Sequence, residues 1–393
     1  MGKQITRRQA ITRTSTILGG ALLGNLGVAL AAPSGAKSAQ RPNVLLLVAE
    51  GWSWQGSEAV DKLGMRMPTF ARLQREGTHF ENAFIASPGA ELPYVALLEK
   101  SGYAAVGDFE AFLGQRPGGK PLLFCLESKS SYRRSAAPVD TANLIVPPYL
   151  PDMPAVRGDI AGYRSEIERF DHQAGLLISR LERTGQLSNT LVVMTGKGGW
   201  PFPRGAGTLY DAGTHVPHVV MYPGRTGDSR VSKALVSSVD LVATVLDVGV
   251  TKKPGQAKPQ ALVLTSGANY PARAIRTSQY LYIRNAFPDR WPAGAPAQQA
   301  VTPAKLDNDI NAAFAGIATS PSKTAMIVGR GDPAMDRLLD LATAKRPPAE
   351  LYDVRADPYQ LNNLAGDPAM KATIKDLDHQ LMSRHATSLP GRS

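Results

Sequence analysis

The stretch TLVVMTGKGGW, residues 190–200, runs from apolar residues into Thr195, Gly196, Lys197, Gly198 and Gly199. Val and Met before and glycines after read as a buried strand emptying into a loop. In α/β proteins ligands bind at the carboxyl ends of such strands, so Lys197 stands where binding chemistry is expected. A phosphate loop would need G-x-x-x-x-G-K-[ST]. Gly196 and Lys197 fit its end, but Leu191 takes the first glycine position and Gly198 the hydroxyl position, which rejects it. The plain alternative is a solvated loop lysine.

Other groups offer less. Cys125 is the sole cysteine and lies in the apolar run PLLFCLES, so no internal disulfide forms and a packed thiol is expected. The six histidines are His79, His172, His215, His218, His379 and His385. His215 and His218 flank Pro217 in an extended segment. An i, i+3 pair there points to opposite faces, which argues for packing rather than joint metal ligation.

The elements that must position these groups follow a clear pattern. NVLLLVA (43–49) is a continuous apolar run, as expected of a strand buried on both faces. MPTFARLQREG (67–77) has Pro near its start, Phe70 and Leu73 at helical spacing, and Gly77 as a stop. PLLFCL (121–126), NTLVVMT and PHVVMY (217–222) are further strands. Residues 157–184 form a long amphipathic helix with Ile160, Tyr163, Ile167, Phe170, Ala174 and Leu177 on one face. ALVSSVDLVATVLDVGV reads as helical after its first few residues. Strands alternating with helices predict an α/β fold with a large, mainly parallel sheet sandwiched by helices. After residue 260 the texture changes. ARAIRTSQYLYIRN alternates like antiparallel strands, PAGAPAQQAVTPA is a loop, and DPAMKATIKDLDHQLMSRHA closes as a helix. A smaller antiparallel α+β subdomain over 261–393 is therefore expected beside a main domain over 41–260.

The chain has 393 residues, 43% of them hydrophobic, enough for a sizeable core. Its net charge is +11, of which residues 1–31 carry +4 through Lys3, Arg7, Arg8 and Arg13. No arginine-rich arm or aromatic–basic interleaving is present, so no nucleic acid partner is expected. Arg7 and Arg8 precede the short, Gly-rich apolar stretch ILGGALLGNLGVALA, which ends in the A-x-A pattern Ala29-Leu30-Ala31. This reads as a twin-arginine export signal over 1–31, with a flexible leader over 32–40. A periplasmic or extracellular destination follows, with membrane association only through an uncleaved signal.

Several ordered stretches together resemble the sulfatase family of the alkaline-phosphatase-like superfamily. RPNVLLLVAEGW is similar to the family's opening strand, which ends in an Asp-Asp pair. MPTFARLQREGTHFENAFIASP is similar to the approach to the signature [Cys/Ser]-x-Pro-x-Arg. SNTLVVMTGKGGW is similar to the strand ending in Ser-Asp-His or Ser-Asp-Asn. GTLYDAGTHVPHVVMYPGR resembles the Lys-x-Thr-Leu-Tyr-Glu-Gly-Gly segment, and ELYDVRADPYQLNNLAGDP is also characteristic. The tail, with RAIRTSQYLYIRNAFPD, looks most like the heparan N-sulfatase branch. The resemblance implies a formylglycine nucleophile over a calcium ion that is held by carboxylates from two strand ends.

Position by position the chain departs from that chemistry. Glu50 falls on the first Asp of the opening pair and Gly51 on the second. Ala86 takes the nucleophile position, followed by Ser87 and Pro88, and Ala90 stands where the Arg belongs. Lys197 falls on the metal-binding Asp and Gly198 on the Asn or His. Ala206 takes the sulfate-binding Lys, and a serine in LESKSSYRR replaces a sulfate-site His. A methyl group cannot become formylglycine. The resemblance thus implies an exported, non-catalytic homologue, with sulfated glycans as its partner class and no resident cofactor. Weak candidates for glycan contact are Lys129, Arg133, Arg134 and Arg204. Lys197 is expected to pair with Glu50 in place of the ion. The alternative is an active sulfatase with a rebuilt site and calcium, for which Ser87 is the nearest hydroxyl, one residue before the proline instead of two. A third reading is a structural subunit of an active paralogue.

Overall fold

The computed structural model describes residues 41–386 apart from 54–64, 89–93, 115–118, 129–140, 225, 227–229, 239–244, 246–260 and 267–269. In chain order the main elements are β1 (Asn43–Glu50), α1 (Pro68–Glu76), β2 (Thr78–Phe84), β3 (Ala104–Ala105), β4 (Leu122–Ser128), α2 (Pro154–Arg183), β5 (Thr190–Lys197), α3 (Asp211–Thr214), β6 (His215–Val216), β7 (His218–Met221) and β8 (Arg230–Ser237). They are followed by β9 (Ala261–Thr265), β10 (Ala272–Thr277), β11 (Tyr280–Asn285), α4 (Pro321–Val328), α5 (Pro333–Thr343), β12 (Ala349–Asp353) and α6 (Lys371–Ala386).

The large sheet has the order β3-β4-β1-β5-β7-β2-β6, with β8 paired to β2. Pairings β3–β4, β4–β1, β1–β5 and β2–β8 are parallel; those of β7 with β5 and β2, and of β6 with β2, are antiparallel. Because β7 reverses between β5 and β2, the carboxyl ends of β4, β1, β5 and β2 all reach one edge. A second sheet, β12-β11-β10-β9, is antiparallel throughout. The stretch ALVSSVDLVATVLDVGV stays extended through Ser237, as the end of β8. Its continuation lies almost wholly outside the described residues.

The run Asn43–Glu50 is apolar without alternation because both faces of β1 are covered. Leu45, Leu47 and Ala49 join a cluster with Ile160, Tyr163, Ile167 and Phe170 of α2. Val44, Leu46 and Val48 join a second cluster with Leu98 and Tyr103. On α2 the buried stripe continues through Ile178 and Leu181, with Leu177 half-buried beside it. An α-helix advances 100° per residue, so the stripe drifts to the next apolar position. Two buried aspartates on α2 tie down other helices. Asp171 accepts the Thr69 and Phe70 N–H groups at 2.9 and 2.8 Å, capping α1, whose own Met67 cap offers no oxygen. Asp159 accepts the Ser322 N–H at 3.1 Å at the start of α4. Among the described residues no helix is long and apolar enough to cross a membrane.

The two sheets are joined by buried polar contacts. Glu350 on β12 accepts from Tyr210 Oη and Tyr352 Oη at 2.7 Å each and from Asn285 Nδ2 at 2.8 Å. Arg276 on β10 grips Asp211 with two hydrogen bonds of 3.0 and 2.9 Å. Burial pushes the Asp211 carboxyl up, but the Arg276 charge and hydrogen bonds outweigh it and hold Asp211 below its ordinary range.

Candidate functional site at the carboxyl edge of the large sheet

Strand register fixes what meets at this edge. Glu50 is the register partner of Lys197 across the β1–β5 pair, and Val48 is the partner of Glu127 across β1–β4. Side chains alternate along a strand, so Glu50, Glu127 and Lys197 share the face of Val48. The Lys197 ammonium forms an ion pair with Glu127, one strand beyond Glu50. Lys197 therefore spans the end of β1 to reach β4. Its side chain is 22% exposed and that of Glu127 is 45% exposed, so the pair sits at the solvent boundary. The backbone closes the same corner. Glu50 N–H donates to Ser128 Oγ at 3.1 Å, and Gly51 N–H donates to the Lys197 carbonyl at 2.7 Å.

The glycines around Lys197 serve chain packing. A Cβ on Gly196 would lie 1.9 Å from the Trp52 carbonyl oxygen, and one on Gly199, at φ +72°, would lie 2.3 Å from the Gly213 carbonyl oxygen. The loop after β5 is thereby pressed between the loop after β1 and α3. Ser53 Oγ donates to the Ala212 and His215 carbonyls at 3.0 and 2.9 Å and completes this layer.

Ala86, which the resemblance aligns with the nucleophile, lies two residues beyond β2 at the same edge. Its N–H donates to Ser238 Oγ at 3.0 Å and its carbonyl accepts from Thr265 N–H at 2.9 Å. Ser87 is buried, and its Oγ accepts from Thr265 Oγ1 at 3.4 Å. Ala206 is exposed and donates its N–H to the Trp200 carbonyl at 2.6 Å, so the sulfate-lysine position carries only a methyl group. Ala90, Lys129, Arg133 and Arg134 lie outside the described residues.

Arg204 was expected at the surface as a glycan contact, and the structure removes it from that role. The residue is buried, and its guanidinium donates to the Leu341 carbonyl at 2.6 Å and to the Gln360 carbonyl. Its Cζ stands 3.9 Å from the Tyr210 ring centroid. A buried guanidinium needs such partners, and these donors join the β5–α3 segment to the C-terminal region. His215 stacks on Phe84 with centroids 4.6 Å apart, and His218 lies 5.2 Å from Phe80. Burial pushes both imidazoles down to about 4, so they are neutral packing groups at neutral pH. Burial also pushes the Cys125 thiol up, to about 11, helped by the Glu127 charge, which leaves it unreactive.

The residue that sequence reasoning missed is Glu127. The signal was present, because two-residue alternation along LLFCLES puts Glu127 on the face of Leu123 and Cys125. Of the four positions at which the resemblance would place calcium ligands, only Glu50 has a carboxylate; Gly51 and Gly198 have no side chain and Lys197 brings an ammonium. Calcium takes six to eight oxygen ligands, roughly, and this donor set does not suit it. Among the described residues no group of three or more His, Cys, Asp or Glu side chains could hold a metal ion.

Comparison with known proteins agrees with this architecture. A family model described as Sulfatase matches residues 120–249. An ulvan-active sulfatase of Formosa agariphila is 26% identical over 260 residues, covering 60% of this chain and 39% of that protein. The human N-sulphoglucosamine sulphohydrolase is 28% identical over 272 residues, covering 62% of this chain and 50% of that protein. The chain thus spans half or less of the length of these two relatives. A structure solved in complex with its substrate D-glucosamine-2-N,6-O-disulfate superposes with a TM-score of 0.56 at 14% identity, covering 88% of this chain and 98% of the other. At that identity the likeness is one of fold. The chain is thus similar to sulfatases in sequence over part of its length and resembles solved structures of this kind in fold.

Proposed function

We propose that this chain is a non-catalytic sulfatase homologue, exported through its twin-arginine signal, that binds sulfated glycans. The observation that carries the reading is the content of the carboxyl edge. Positions that would supply nucleophile and cation ligands bear Ala86, Gly51, Lys197 and Gly198, while the strands that present them are intact. Members of a catalytic unit act together, and removing several leaves little rate. An ammonium paired with Glu127 also repels a divalent cation from the same corner. Glycan binding is supported by the relatives, one named as ulvan-active and one as acting on N-sulphoglucosamine.

The test is chromatography of the pure protein on a sulfated polysaccharide, with parallel assay of aryl sulfate and glycosaminoglycan desulfation. Retention released by moderate salt, without turnover, is the expected result. Turnover abolished by Ser87→Ala would establish the rebuilt-site alternative, and absence of retention at low salt would remove the glycan partner. Export is tested by cell fractionation of the full chain and an Arg7→Lys/Arg8→Lys variant, which is expected to stay inside.

A further inference from the structure

Two of the exposed large apolar side chains lie four residues apart on the turn after β11: Phe287, 43% exposed, and Trp291, 39% exposed. Arg290 N–H donates to the Phe287 carbonyl at 3.0 Å and Gly294 N–H to the Trp291 carbonyl at 3.2 Å, which shapes this turn. Each ring carries a cation. The Arg290 Cζ stands 4.1 Å from the Phe287 ring centroid, and the Lys345 Nζ stands 5.5 Å from the Trp291 ring centroid. Both cations are exposed, and neither has a carboxylate partner among the described residues. Asp289 lies on the same turn as its one acid.

A guanidinium stacked on a ring spends its face and keeps its in-plane N–H donors, which match the paired oxygens of a sulfate. An ammonium keeps three donors. Beside them, exposed aromatic surface suits the apolar C–H face of a sugar ring. We infer that Phe287, Arg290, Trp291 and Lys345 form a contact site for a sulfated saccharide, separate from the degenerate carboxyl edge. The sugar face packs on the rings and its sulfates meet Arg290 and Lys345. The position favours a link with that edge. Arg346, next to Lys345, lies 5.7 Å over the Tyr210 ring, and Tyr210 leads into the segment that packs against the loop after β5. The inference rests on the glycan-binding reading and gives it a place. Single-stranded nucleic acid also stacks on aromatic rings, but it is tracked by a run of basic residues, and the sequence has no arginine-rich arm.

Tryptophan emission reports on the site by difference: the chain has four tryptophans, Trp52, Trp54, Trp200 and Trp291, and the part of any change that Trp291→Phe removes belongs to Trp291. A heparin-derived tetrasaccharide at low salt is expected to change the emission, and Trp291→Phe to abolish that change. Arg290→Ala/Lys345→Ala is expected to weaken binding by about tenfold or more, with an unchanged melting temperature and no binding of the desulfated tetrasaccharide. Undiminished affinity in the double variant overturns this site while leaving the glycan-binding reading intact. No binding by the unaltered chain overturns both. Oligothymidine binding of equal strength, lost in the same variant, overturns the saccharide assignment.

Discussion

Lys197 on β5 reaches across the end of β1 to form an ion pair with Glu127 on β4. A cation of the chain itself therefore occupies the corner where the resemblance places a metal ion. The pair is partly exposed, so its energetic share is small, about 0.2–1 kcal/mol. A double-mutant cycle of Lys197→Met and Glu127→Gln should give coupling in that range, shrinking as salt rises. Coupling of several kcal/mol would mean that the corner is far drier than its exposure indicates.

The Arg276–Asp211 pair makes the contrast. Its side chains are 6% and 15% exposed, and it joins the second sheet to the start of α3. Removing one partner leaves a buried charge, at a cost of about 3–5 kcal/mol. Chemical denaturation of Arg276→Met should show a loss of that order, several times the loss for Lys197→Met.

Acidification should destabilise the fold through His215 and His218. Folding holds both near 4, below the ordinary 6.5, so the unfolded chain takes up protons first as pH falls. The stability is complete above 6.5 and is lost between 6.5 and 4. Each histidine contributes up to about 1.4 kcal/mol per pH unit in that window, so pH 5 should cost about 3–4 kcal/mol relative to pH 7. Denaturation at the two pH values checks this, and His218→Phe should flatten the slope.

The loop glycines give a steric test. Gly196→Ala puts a methyl 1.9 Å from the Trp52 carbonyl oxygen and should cost several kcal/mol, at least about 3. Gly207, at φ +82°, has nothing within 4 Å of its would-be Cβ, and Gly207→Ala should cost only about 1–2 kcal/mol of backbone strain. Equal losses in thermal unfolding would deny the close packing of the two loops.

Much of this fold was legible because burial leaves a pattern. The unbroken run in β1 announced a strand covered on both faces, and the spacing from Ile160 to Ala174 announced α2. The direction of β7 was not legible, since PHVVMY is equally apolar whichever way it runs. The site divided in the same way. Motif order put Glu50, Ala86 and Lys197 at or just beyond strand ends, but the partner of Lys197 depends on which strand flanks β1, and that is a tertiary fact. Arg204 misled because an isolated arginine in a Gly-rich loop reads as solvated, whereas carbonyls of residues 341 and 360 arrive from far along the chain.

The proposed function requires that the carboxyl edge lack the metal-assisted chemistry that the resemblance would place there. Calcium titration of the intact chain, read by melting temperature with parallel aryl sulfate turnover, tests it most directly. An unchanged melting temperature and no turnover at any calcium concentration are expected. A calcium-dependent rise in melting temperature accompanied by turnover would contradict it.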